Sequence, residues 1–495
     1  MTVPPFETLA SVDLGSNSFR LQIVRVMDGQ IYPLDTLKET VRIGAGLDDN
    51  NVLDELIQER ALACLARFGE RLRGFRPDRV RVVGTNTLRV ACNVQHFITR
   101  AEQLLGFPIE IVAGREEARL IYMGAAHSLP NSREKRFVVD IGGGSTEFII
   151  GLGFKPLKTE SLNLGCVSYS GRYFPEGRMS RAAFKDAEFA ARLDVQRIAQ
   201  DYASAHWTVA IGTSGTARSL RDILEQNSYT NADITYPGML RLKEELIRAG
   251  QMSALQLAGL RGDRAPVLPG GLAIMLAVFQ ELKIEQMQVT LGALRDGILY
   301  DLLGRQDARD LRAGTVTQFQ RRYHIDVAQA ARVNHLAERF YSALEGEIVG
   351  SETARQLGWA AQLHEIGLDI AHSAYHKHSA YILQHADMPG FSQREQERLA
   401  TLTLAHKGTL AKVLPQVTEN ALWSAILALR LAVVFCRSRQ HVELPGQLSL
   451  TRTVGVYTLV VCKEWLQHNP LTASALQQEM AAWKVVEMKM VLRHT

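Results

Sequence analysis

Three consecutive glycines stand between two carboxylates in VVDIGGGSTEF, residues 138–148. A backbone without Cβ atoms lets successive N–H groups converge on an anion. Gly142, Gly143 and Gly144, with hydroxyl donors from Ser145 and Thr146, therefore form a candidate phosphate cradle. A carboxylate beside a phosphate is repulsive unless a cation lies between them, so Asp140 and Glu147 point to a Mg2+ ion held by oxygen ligands, some of them water. The design recurs near the N-terminus. LASVDLGSNSFRLQIVRV and RFVVDIGGGSTEFIIGL each read as an apolar strand, an aspartate, a Gly-led turn and a second apolar strand. In the first copy Asp13 closes the strand and joins the expected metal ligands, while Gly15, Ser16, Asn17 and Ser18 make the turn. A single glycine turn is usually only a turn. Its repetition with an aspartate at the same place outweighs the alternative of two ordinary hairpins whose aspartates stabilise their own turns.

Other polar residues gather around this pair. Arg20 lies on the opposite strand face from Phe19 and Leu21 and is expected to point into the cleft. In GTSG, residues 212–215, Ser214, Gly215 and the following Thr216 read either as a phosphate-holding loop or as a plain helix N-terminus. Neither a GxxxxGK[ST] loop nor a GxGxxG loop occurs at these sites, which removes support for P-loop and dinucleotide-binding readings.

The elements that must position these residues alternate in type. DELIQERALACLARFGERL and VQHFITRAEQLLG carry helical spacing, whereas RVRVVGTN and PIEIVAG are strand-like. VAIGTSGTARSL, VLPGGLAIMLAVFQEL and QVTLGALRDGILYDLL supply a second strand–loop–helix series. Two similar α/β halves, residues 1–122 and 123–305, with a cleft between them are expected. At 495 residues the chain has length for roughly three domains. Its formal charge of +4 is too small to announce a nucleic-acid polymer as partner. Five scattered cysteines without metal-type spacing and an N-terminus without a signal segment predict reduced thiols in the cytoplasm. No apolar run approaches the roughly 20 residues of a membrane span, so no integral membrane association is expected.

Together VDLGSNSFRLQIVRV, VVGTNTLRVACN, IVAGREEARLIYMGAA, FVVDIGGGSTEF, LNLGCVSY, AIGTSGTARSL and LGALRDGILY resemble the exopolyphosphatase and guanosine pentaphosphate phosphohydrolase family, in order over the first three hundred residues. The resemblance implies a duplicated actin-like fold (acetate-kinase-like, ribonuclease-H-like). It also implies Mg2+-dependent hydrolysis of a terminal phosphoanhydride, with K+ as activator, and a homodimer. The family's catalytic glutamate falls on Glu117 in GREEARLIY, with Glu116 pointing elsewhere. A carboxylate held at the start of a helix can take a proton from water; without the resemblance, favourable contact with the helix dipole is the simpler reading. Arg89 in GTNTLRVA matches a family arginine that reaches the phosphate, against the alternative of a surface salt bridge. The leading expectation is an exopolyphosphatase acting processively on inorganic polyphosphate. The alternatives are a guanosine pentaphosphate 5′-phosphohydrolase (pppGpp to ppGpp), dual activity, and a non-catalytic polyphosphate or alarmone sensor.

Beyond residue 305 the pattern becomes helical, and LHEIGLDIAHSAYHKHSAYILQHADMPGF continues the resemblance. A mainly α-helical HD-like domain is expected over 306–445. His335, His364, Glu365 and His378 resemble the ligand distribution of HD-type phosphohydrolases, but Glu365 stands where the active pattern requires Asp. Core or interhelical hydrogen bonding is therefore the expected role. A small α+β domain over 446–495 is expected to contain a strand pair in QLSLTRTVGVYTLVVCKEWL and a helical tail made basic by Lys484, Lys489 and Arg493.

Overall fold

The computed structural model describes residues 7–27, 30–130, 134–231, 233–306, 310–346, 351–440, 443–453, 455–486 and 489–494. The chain divides into two compact units, Met1–Arg309 and Asp310–Thr495.

The first unit contains one architecture twice. Strands β1 (Glu7–Leu14), β2 (Phe19–Met27), β3 (Gln30–Glu39), β4 (Val80–Gly84) and β5 (Ile109–Ile111) form a sheet of order β3-β2-β1-β4-β5. Strands β6 (Lys135–Ile141), β7 (Thr146–Leu152), β8 (Lys155–Leu162), β9 (Val209–Thr213), β10 (Ile234–Thr235) and β11 (Gln286–Val289) form a second sheet of order β10-β11-β9-β6-β7-β8. Omitting β10, the two sheets have the same order and the same directions. The first three strands of each are antiparallel and the rest run parallel to the first. The two similar α/β halves expected from the repeated hairpins are present, in the duplicated actin-like fold that the family resemblance implies. Even the register irregularity repeats, between Ile23 and Val24 in one copy and between Ile150 and Gly151 in the other.

The repeat sets the site residues in equivalent places. Asp13 pairs with Arg20 across the first hairpin, and Asp140 pairs with Glu147 across the second. One structural position thus carries a cation in one half and an acid in the other.

Helices lock the halves by close approach of backbone. The helix Gly114–His127 packs on the helix Leu294–Gln306 through glycines. A Cβ on Gly297 would lie 1.8 Å from the Leu120 carbonyl oxygen, and one on Gly124 would lie 2.1 Å from that of Ala293. A buried ion network reinforces the contact. Asp301 accepts from Arg81 at 2.6 Å and from Arg119 at 2.5 Å, and Arg119 also forks onto Glu116 at 2.7 and 2.8 Å. Glu116 is therefore turned away from the cleft, as expected.

The segment Ala265–Leu282 is long and apolar enough to cross a bilayer, which the sequence reading did not single out. It is 78% buried within the protein, and its helical part, Leu268–Leu282, forms the centre of the second half's core.

The second unit is a bundle whose long helices Val327–Glu345, Glu352–Leu363, Gln393–Ala405 and Asn420–Phe435 share one hydrophobic core with a small sheet. That sheet has three strands rather than the expected pair: β12 (Ser449–Thr453), β13 (Val456–Val461) and β14 (Lys489–His494), in that order. β14 pairs parallel to β13. Lys489 and Arg493 of the expected helical tail therefore belong to a strand; their alternation with buried Met490 places them on its exposed face.

Candidate active site

The two hairpin turns are both four residues long, Gly15–Ser18 and Gly142–Ser145, because Leu14 pairs with Phe19 and Ile141 with Thr146. They meet at equivalent positions. A Cβ on Gly143 would stand 2.8 Å from Cβ of Ser16 and 2.9 Å from the Asn17 nitrogen, and one on Gly144 would stand 2.3 Å from Oδ1 of Asn86. The absence of side chains here serves first the contact between the two halves. None of Gly15, Gly142, Gly143 and Gly144 has positive φ, so at Gly143 and Gly144 close approach rather than an unusual backbone conformation demands glycine. In the second turn the Gly142 N–H donates to the Ser145 carbonyl at 2.9 Å. The N–H groups of Gly143 and Gly144 make no backbone bond among the described residues and are available to an anion.

Both turns wall a cavity of about 100 Å³, a volume suited to a single phosphoryl group. Four carboxylates, Asp13, Asp140, Glu117 and Glu147, and four guanidinium groups, Arg20, Arg218, Arg264 and Arg295, line it together. Ser16, Asn17, Ser18 and Ser145 reach it from the turns, and Ser214 and Gly215 from the end of β9. Ser214 has a left-handed φ of 63° and donates to Oδ2 of Asp140 at 2.6 Å, a strained conformation held by that bond.

Three residues expected to touch phosphate are placed otherwise. Thr146 is fully buried and donates to the Leu164 carbonyl at 2.5 Å, and Thr216 donates to the Ile141 carbonyl at 2.8 Å. Both hydroxyls hold the turns in shape. Arg89 is not part of the cavity wall; it donates to Oε2 of Glu117 at 3.1 Å and to the Val112 carbonyl at 2.8 Å.

Burial dominates the electrostatics. It raises Glu117 to about 7 against the opposing charge of Arg89, with Asp13 and Asp140 adding to the rise. It raises Asp13 to about 6 despite Arg20 and Arg295. Asp140 is raised by burial against the Ser214 hydrogen bond, and Glu147 is raised by burial and by its neighbours Glu117 and Asp140. Among the guanidinium groups burial, followed by crowding from Arg20, Arg295 and Arg264, lowers Arg218 to about 10. Burial thus disfavours the charged form of the carboxylates and of Arg218 on one wall, an arrangement that a substrate polyanion and a metal cation would relieve together.

The donor set fits Mg2+. Oδ1 of Asp13 and Oδ1 of Asp140 are buried without a hydrogen-bond partner among the described residues. No group of three His, Cys, Asp or Glu side chains converges on one point among the described residues. Mg2+ needs no such cage, since it commonly takes one or two carboxylates and completes its shell with water and substrate phosphates.

Arg218, Arg264 and Arg295 were not singled out from sequence. Arg218 and Arg295 sit inside the motifs GTSGTARSL and LGALRDGILY, so a signal existed for them. Arg264 sits in no such motif; its guanidinium lies so close over Gly215 that a Cβ there would be 1.9 Å from Nη2. In the second unit His364 and Glu365 line a separate cavity, while His335 and His378 do not take part in it.

Residues 22–306 match the Ppx/GppA phosphatase family, and residues 311–480 match Ppx/GppA phosphatase domain III. The chain is 38% identical over 493 residues to the guanosine-5′-triphosphate,3′-diphosphate pyrophosphatase of Pseudoalteromonas translucida (strain TAC 125), covering 98% of this chain and 99% of that one. Its fold is similar to the crystal structure of an exopolyphosphatase from Cytophaga hutchinsonii, with a TM-score of 0.54 and 24% identity over 60% of this chain and 98% of that one. An exopolyphosphatase-like protein of known structure is similar to the same degree, with a TM-score of 0.54 and 22% identity over 61% of this chain and 99% of that one.

Proposed function

The chain belongs to the Ppx/GppA phosphatase family of phosphoanhydride hydrolases, and from that premise we propose that it removes the terminal 5′-phosphate of guanosine pentaphosphate, leaving the tetraphosphate. The observation that carries the choice of substrate is the end-to-end similarity to a guanosine-5′-triphosphate,3′-diphosphate pyrophosphatase. It shifts preference from inorganic polyphosphate, the leading expectation from sequence, to the nucleotide.

In this reading the terminal phosphate sits between the two turns. Glu117 orients water and accepts its proton; a group near pH 7 is well matched to that task at neutral pH. Phosphoryl transfer spreads negative charge over the transferring group, so Arg20, Arg218, Arg264 and Arg295 lower the barrier by facing it. Arg89 acts through Glu117, fixing the carboxylate's position. Asp13, Asp140 and Glu147, all on the cavity wall, would hold Mg2+, which when bound supplies charge neutralisation to the phosphate oxygens. The remainder of the substrate extends into an adjoining basic cavity that shares Arg20, Gly215, Arg218 and Arg264 with the first and adds Lys38 and Arg261.

A second reading, exopolyphosphatase activity, draws support from the same cavities: none of the described residues lining either is aromatic, so neither offers a ring on which a guanine base would stack. Parallel assay of phosphate release from guanosine pentaphosphate and from long-chain polyphosphate, with Mg2+ present, tests the proposal. A higher kcat/KM for the nucleotide supports it, comparable values make the protein dual-function, and release from polyphosphate alone overturns it. Binding of either compound without release would assign the protein to the sensor class.

A further inference from the structure

The second unit contains a cavity of about 460 Å³, within the roughly 300–1,000 Å³ of small-molecule sites. Its floor holds two buried imidazoles, His364 and His406, 2% and 3% exposed, with ring centroids 5.2 Å apart. Each spends Nδ1 on a backbone carbonyl, that of Ala361 for His364 and that of Thr403 for His406. A carbonyl only accepts, so Nδ1 carries the hydrogen and each Nε2 is left with a lone pair. Burial holds both imidazoles below the ordinary histidine range and hence neutral.

The two lone pairs differ in one respect. That of His406 accepts from the Tyr375 hydroxyl at 3.2 Å. That of His364 has no hydrogen-bond donor among the described residues; Oε1 of Glu365, 4.0 Å away, is itself an acceptor. Of the cations, Arg430 is consumed by both oxygens of Glu479 and by the carbonyls of Ala405 and Gly408, and Arg439 by Glu365 and Asp326. Lys407 and Arg437, both exposed at the rim, have no ion-pair partner among the described residues, and Lys407 lies over the Tyr375 ring at 4.6 Å. An imidazole acceptor with no donor among the described residues therefore shares one cavity with two cations that have no ion-pair partner among those residues, Lys407 being engaged by the Tyr375 ring alone.

We infer that this cavity binds a nucleoside monophosphate, an N–H or O–H of its base or sugar donating to Nε2 of His364 and its phosphate facing Lys407 and Arg437. Two cations match the roughly −1.5 to −2 charge of a phosphate monoester at neutral pH. Leu368, Val433 and Val434 offer apolar wall to the uncharged part. Inorganic phosphate would leave the floor unused. A metal is not favoured, since no group of three His, Cys, Asp or Glu side chains converges among the described residues.

The test is calorimetric titration of the full chain with GMP. An Arg20→Ala/Arg218→Ala background weakens anion binding in the first unit, so the second site is read alone. GMP is expected to bind this variant. Adding Lys407→Glu and Arg437→Glu should weaken it by roughly tenfold or more. His364→Phe, which removes the acceptor and fills the floor, should weaken GMP while leaving inorganic phosphate binding unchanged. Both rim positions are exposed, so their substitution in the native chain should leave hydrolysis at the first unit intact and show that the protein is folded. Absence of saturable GMP binding in the background variant, undiminished binding after rim charge reversal, or phosphate binding as tightly as GMP would each overturn the inference.

Discussion

Nη1 of Arg89 lies 3.1 Å from Oε2 of Glu117, the pair being 16% and 7% exposed. Arg89 is the largest influence opposing the burial that lifts Glu117 to about 7. A base must be deprotonated to act, so kcat/KM should fall as pH drops through this region. Arg89→Leu removes a charge that favours the carboxylate, and the acidic limb should move to higher pH. Arg89→Lys should move it back part of the way. An unmoved limb in the pH profile of Arg89→Leu would show that a different group governs it.

Glu117→Gln should reduce turnover by about 10²- to 10⁴-fold while changing substrate affinity little, measured by single-turnover kinetics and equilibrium dialysis. It should also stabilise the fold at alkaline pH. A carboxyl raised in the folded state binds protons there that the unfolded chain releases, so stability is lost as pH rises from about 4.5 to about 7 and the cost is complete above it. Replacing the carboxyl should recover roughly 3 kcal/mol at pH 8 and nothing below pH 4, read from denaturant midpoints. A variant equally stabilised at both pH values would contradict the buried-charge account.

Gly143→Ala places a methyl 2.8 Å from Ser16 and 2.9 Å from the Asn17 backbone, where neither can rotate away. The turns should separate and kcat/KM fall by roughly 10²-fold, the scale of an ångström-sized misplacement. Gly142→Ala faces only the Ser145 carbonyl at 3.1 Å and should be milder. Equal losses in the two variants would mean that the turns need flexibility rather than close contact.

Chelation of divalent metal should abolish phosphate release, and Mg2+ should restore it. Asp13→Asn and Asp140→Asn each remove one charge from an orphaned carboxylate pair and should raise the Mg2+ concentration giving half-maximal rate by roughly tenfold or more. Repeating the titration with K+ tests it as an activator. An unchanged Mg2+ requirement in both variants would remove these aspartates from the metal site.

The duplicated architecture was legible because it is written locally. An apolar strand, an aspartate, four turn residues and a second strand specify a hairpin whatever surrounds it, and Asp13 and Asp140 close the same strand position in both copies. The direction of Arg20 followed from strand alternation, and the two acidic turns and Glu117 line the cavity on which the sequence reading converged. Local pattern also failed in identifiable ways. β14 lacks a turn linking it to β13 and pairs with it in parallel after two intervening helices, so no short-range signal announces it.

By itself the sequence determined the two hairpins that carry the acidic turns and which of their residues carry charge, since periodicity and glycine content act over a few residues. Tertiary structure alone decided where each polar group spends its hydrogen bonds. Thr146 and Thr216 are turn-adjacent hydroxyls by sequence, yet both are claimed by carbonyls from neighbouring segments, Leu164 and Ile141. It also assembled the cationic wall, for Arg218, Arg264 and Arg295 come from three separate segments of the second half and are joined by Arg20 of the first only in the folded chain. Their convergence costs free energy that packing elsewhere must offset, as the depressed Arg218 records, and no pattern within a few residues can encode such a balance.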